Sequence, residues 1–115
     1  MAVPLLRSEG RDVAWFPCGV AGGDAHAGRT ETSLMLHVEP ERVVQDRTAG
    51  VTTPIGELLP RLRAEGVRAV SPTGVLGDPA GASAEEGAVL LEGLVERLVA
   101  AARAWTVDAH GRVRG

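Results

Sequence analysis

The chain has 115 residues, 44% hydrophobic and only 3% aromatic, with a net charge of -3 and both signs interspersed. That length suits one domain with a core of Val, Leu and Ala. The charge pattern excludes nonspecific nucleic-acid binding, no run reaches the roughly 18 apolar residues of a membrane span, and the lone Cys18 excludes an internal disulfide or a multi-thiolate zinc site.

Residues 1–11 are short and mixed, with Glu9-Gly10-Arg11 as a turn. The N-terminus lacks the apolar core of a signal peptide, so a cytoplasmic location is expected. Residues 12–18, DVAWFPC, predict a buried strand in which Cys18 acts as a small hydrophobe. The flexible GVAGG leads into GDAHAGRTETS, residues 23–33. Thr30 is expected to cap a helix that carries Leu34, Met35, Leu36 and Val38 as far as Pro40. Residues 45–53 are polar loop. Ile55, Leu58, Leu59 and Leu62 recur at helical spacing in PIGELLPRLRAE, with Pro60 as a kink and Gly66 as terminator.

Residues 67–71, VRAVS, predict a second strand, followed by the Gly/Pro-rich PTGVLGDPAGAS. Ser83 and Glu86 form a capping box for a helix running to about Ala104, with Val89, Leu90, Leu94, Leu98 and Ala101 on one stripe. Residues 106–115 are expected to be a polar, frayed tail. Strand, helix, helix, strand, helix is an α/β order with parallel strands, although two strands make a thin sheet.

Asp24, His26 and Glu31 place one imidazole and two carboxylates within eight residues, after the first strand and before a helix. Such a set could ligate a divalent metal or supply a general acid/base and its orienting partner. It could equally be a polar loop whose acids serve helix caps. His37 and His110 read as surface residues, and Arg11, Arg29 and Arg68 as members of surface ion pairs. The glycine-rich loop before Ser83 lies at a helix start, which attracts anions, but it contains no Lys and fits no phosphate-loop pattern.

Two segments taken together, DAHAGRTETSLML at 24–36 and AVSPTGVLGDPAGASAEEG at 69–87, resemble the creatininase family of metal-dependent amidohydrolases, most closely its mycofactocin-system peptidase branch. The resemblance spans roughly residues 9 to 104. It implies a three-layer α/β/α sandwich with a small, mostly parallel sheet over residues 1–105, here only in part. It implies two divalent metals (zinc, iron or manganese) that activate water against an amide carbon. The implied substrate is a modified precursor peptide that releases a C-terminal Val-Tyr dipeptide, and the implied assembly is a homo-oligomer, with neither nucleic acid nor membrane as partner.

Carried over by residue, the resemblance makes His26 the catalytic histidine of the HAG segment. It places Glu31 at the metals, with Asp24 beside it, and puts Gly74 and Asp78 in a substrate loop. Thr73 stands where the family pattern favours Asn. The family's Glu-x-His motif with its following Asp, and its Asn-Gly-His segment, have no counterpart here. The chain is therefore expected to be the C-terminal half of a longer protein, with Met1 a misplaced start or the product of a shortened gene, and to be poorly active or inactive alone. The alternative expectation is a non-catalytic interaction module that docks on a complementary half or partner.

Overall fold

The structure, a computed structural model, describes residues 2–114. Met1 and Gly115, which hold the expected start and the last residue of the expected tail, lie outside the described residues. In chain order the elements are α1 (Ala2–Ser8), α2 (Arg29–Val38), a 3-10 turn (Pro40–Arg42), α3 (Ile55–Glu65), α4 (Val67–Val70) and α5 (Ala84–Ala104). Two compact units divide them, Val20–Leu91 and Met1–Gly19 with Glu92–Gly115. None of the described helices is long and apolar enough to cross a membrane.

The expected α/β sandwich is not what forms. The described residues contain no strand and no sheet, only three isolated bridges: Trp15 with Arg112, His26 with Leu76, and Val107 with Val113. A strand is stable only when a neighbour satisfies its backbone groups. Residues 12–18 find one such pairing, at Trp15, whose N–H donates to the Gly111 carbonyl and whose carbonyl accepts from Val113. Cys18, expected inside, is exposed. The run VRAVS instead closes its hydrogen bonds locally as α4, with the Ser71 N–H donating to the Val67 carbonyl at 2.7 Å. Short apolar runs of this kind are ambiguous by periodicity alone.

The helices follow the predicted pattern more closely. α2 begins at Arg29, one residue before the expected cap. α3 carries Pro60 within it and ends at Gly66, whose φ of 80° suits glycine. α5 starts after Ser83 as predicted, and the Ser83 hydroxyl accepts the Glu86 N–H at 3.1 Å. Its expected apolar stripe is only partly covered, because Val89 and Leu98 are exposed while Ala101 is buried.

In the Val20–Leu91 unit, Leu58 of α3, Val70 of α4 and Leu76 form the core, with Val51 and Leu62 packed against it. The segment around Leu76 is central to this unit. It pairs with His26 on one side, while Gly50 and Val51 donate to the carbonyls of Gly77 and Val75 on the other. In the second unit, residues 106–114 turn back on themselves. Asp108 accepts the N–H groups of His110 and Arg112, and Val113 is buried.

Candidate active site

The loop 24–28 is shaped by one carboxylate. Asp24 accepts the N–H of Arg29 and, at 3.0 Å, that of Thr30, the first two residues of α2. These are donors that a helix leaves unpaired. Asp24 thus caps α2 from outside the usual cap position, which Gly28 occupies without a side chain to offer. Burial pushes the Asp24 carboxyl up, but the N–H groups of Thr30 and Arg29 and the Thr30 hydroxyl outweigh it and hold it below the usual carboxylate range. The glycines on both sides are required, since a Cβ at Gly28 or at Gly77 would collide with this carboxylate.

His26 is held by its backbone. Its N–H donates to the Leu76 carbonyl at 3.2 Å and its carbonyl accepts the Leu76 N–H at 2.9 Å. The two segments singled out in the sequence therefore touch. The next residue, Ala27, has φ of 53°, a left-handed conformation that costs a non-glycine residue about 1–2 kcal/mol. That turn points the Ala27 N–H at Glu31 Oε2, which lies 3.3 Å from His26 Nδ1. Both side chains are more than half exposed, at 63% and 53%. The exposed imidazole and the carboxylate beside it are groups able to exchange protons with a substrate.

Behind Glu31, α2 is pinned to the start of α5. Ser33 is fully buried; its hydroxyl donates to Glu86 Oε2 at 3.2 Å and accepts the Ser83 N–H at 3.2 Å. Glu86 also accepts from Arg29 Nε at 2.7 Å. The expected capping box is thus half realised. The Glu86 carboxylate turns to Arg29 and Ser33, and Ser33 takes the N–H that Glu86 would have received.

Three clefts adjoin this loop. One of about 440 Å³ is lined by Glu31, Thr32, Leu34, Met35, Arg42 and Val43. A second, of about 340 Å³, has Asp24 and Asp78 in its wall. The third, of about 360 Å³, shares Ala27, Thr32 and Val43 with the first and adds Arg47 and Thr73. Asp78 makes a local turn by accepting the Ala80 N–H at 2.9 Å. Gly74, with φ of 84°, completes a turn to Ser71 and is not among the residues lining these clefts.

The described residues alone do not fit a metal. They contain no group of three or more His, Cys, Asp or Glu side chains placed to hold one. His26 and Glu31 offer two donors, and Asp24 is committed to the amides of α2. A catalytic zinc usually takes three protein ligands.

Arg29 forms the surface ion pair expected of it, with Glu86, whereas neither the buried bonds of Ser33 nor the partnerless state of Arg47 Nη1 among the described residues was legible in the sequence. Ser33 follows the polar run Arg29-Thr30-Glu31-Thr32 in α2, and nothing in the sequence sets it apart from them. Nothing in the pattern around Arg47 marked it.

The family described as creatininase, creatinine amidohydrolase, matches residues 2–102. The chain is similar to proteins named mycofactocin precursor peptide peptidase. It is 54% identical over 111 residues to that of Mycobacterium ulcerans, covering 96% of this chain and 44% of the relative. It is 48% identical to that of Mycolicibacterium smegmatis and 49% identical to that of Mycobacterium tuberculosis, covering 45% and 44% of those relatives. The chain thus spans less than half the length of the curated relatives it matches. No solved structure matches it at a significant level.

Proposed function

The chain belongs to the creatininase family, and on that premise we propose that it forms one wall of an amide-hydrolysing site acting on a modified precursor peptide, the substrate class carried in the names of its relatives. The observation that carries this reading is the pairing of His26 with Glu31 in a loop tied to the 75–77 segment. In the reaction, water oxygen joins the amide carbon and the C–N bond breaks. His26 takes a proton from the attacking water and passes it to the leaving nitrogen, with the Glu31 carboxylate beside the imidazole. The bond broken is the one that releases a C-terminal Val-Tyr dipeptide.

The metal donors that the family resemblance implies would have to come from residues this chain does not contain. The test is co-expression with the portion of the Mycolicibacterium smegmatis relative that this chain leaves unmatched, assayed on the precursor peptide with zinc, iron or manganese. Hydrolysis is expected with both polypeptides and not with this chain alone. Loss of that activity is expected in His26→Ala and in Glu31→Gln. Full activity in His26→Ala would sink the assignment.

A second reading, a non-catalytic docking module, is favoured by the exposure of Trp15, Leu98 and Trp105 in the unit formed by the chain's two ends. Sedimentation of a monomer that fails to bind an apolar dye would count against it.

A further inference from the structure

One face of α2 carries both a polar and an apolar part of the candidate site. Glu31 and Met35 are four positions apart, so they are neighbours on the helix surface. Glu31 Oε2 lies 3.3 Å from His26 Nδ1, and Glu31 and Met35 both line the 440 Å³ cleft. Leu34 and Val43, each partly buried, extend the apolar wall. Arg42, the cation in the lining, is paired with Glu39. Met35 is 40% exposed, so its side chain is open to a molecule entering the cleft. A thioether adapts its shape to what it packs against. A cavity of about 150 Å³ holds a benzene ring, so this cleft has room for an aromatic side chain and a neighbour.

We propose that Leu34, Met35 and Val43 form a specificity pocket for uncharged apolar side chains on the leaving side of the scissile amide. Four residues advance about 6 Å along an α-helix. Two residues of extended peptide span about 7 Å. A dipeptide that starts beside His26 and Glu31 therefore reaches Met35. An acidic side chain is disfavoured there, since it would lose water against the apolar wall and face the Glu31 carboxylate. The leaving side rests on the amide-hydrolase reading, whose released Val-Tyr carries one aliphatic and one aromatic side chain. The apolar preference rests on the cleft alone.

Binding to the full chain tests it without any turnover. The probes are N-acetyl-Val-Tyr amide, N-acetyl-Ser-Ser amide and N-acetyl-Val-Glu amide, all capped so that only the side chains differ. Titrations are followed by NMR, at the Met35 methyl and the Thr32 amide. The Val-Tyr probe is expected to shift the Met35 methyl and to bind about tenfold or more tighter than the other two, as burial of apolar side chains implies. Met35→Gln and Val43→Thr, which keep the size of the side chain but add polar atoms, are each expected to weaken the Val-Tyr probe about threefold or more. A variant without the wild-type circular dichroism spectrum is set aside, and the wild-type comparison of probes still decides. Equal affinities for the three probes, a Met35 methyl that ignores the Val-Tyr probe, or unchanged affinity in both folded variants would each overturn the proposal. Full hydrolysis by His26→Ala with the expected binding would strike the amide-hydrolase reading and leave the pocket. Hydrolysis by the co-expressed pair with no such binding would strike the pocket alone.

Discussion

The Asp24 carboxylate lies against the backbone of Gly77, so that a Cβ at position 77 would stand 2.5 Å from Asp24 Oδ2. Asp24 is thus the joint between the histidine loop and the glycine-rich segment, as well as the cap of α2. A residue first read as a metal neighbour has its oxygens turned to backbone amides.

Asp24→Asn should weaken the fold by about 1 kcal/mol near neutral pH, because the amide nitrogen cannot accept the N–H that the second carboxylate oxygen takes. The effect should depend on pH. The Asp24 pKa is lowered on folding, so its contribution is complete above the unfolded value of about 3.9 and is lost as pH falls through the lower folded value. Denaturant midpoints of wild type and variant should differ at pH 6 and converge as pH falls through the lowered folded value. A gap that stays constant down to pH 2 would contradict the capping role.

Two glycines of α5 should respond in opposite directions. A Cβ at Gly87 meets the Ser33 backbone carbonyl and His37 Cβ, neither of which can swing aside. Gly87→Ala should cost about 1–3 kcal/mol, as overpacking does. Nothing lies within 4 Å of a Cβ at Gly93, so Gly93→Ala should add about 0.5–1 kcal/mol through backbone entropy. Thermal unfolding of the pair tests the close approach of α2 and α5; a stabilised Gly87→Ala would refute it.

Ser33→Ala should cost more than Arg29→Ala. Ser33 is buried and bonded on both sides, so its loss strands the Ser83 N–H, at about 1–3 kcal/mol. Arg29 pairs with Glu86 from a side chain 56% exposed, where ion pairs contribute about 0–1 kcal/mol. Urea titration of the two variants gives the order, and the reverse order would mean that the ion pair, not the hydroxyl, pins α2 to α5.

The chain alone should not retain metal. With His26 and Glu31 as the paired donors and Asp24 engaged elsewhere, zinc or manganese should leave during gel filtration. Elemental analysis of the eluted protein checks this, and one or more equivalents of retained metal would show a donor set beyond these side chains.

The sequence by itself determined what is decided within a few residues. The helices at 29–38, 55–65 and 84–104 were legible because their hydrogen bonds close locally and their apolar residues repeat at helical spacing. The Ser83 cap was legible for the same reason. The two motif segments could be paired by resemblance, and His26 does meet Leu76.

Only the tertiary structure decided between strand and helix at 67–70, because a strand takes its partners from a distant segment and these residues found theirs in their own turn. The same physics governs the site. Glu86 left its capping box because Arg29 and Ser33, more than fifty positions away, offered stronger company. That Asp24 caps α2 depended on where α2 begins, and the burial of Arg47 Nη1 depended on segments that spacing does not relate. Local bonding can be read along the chain; a polar side chain's partner is set by which distant backbone folding brings beside it.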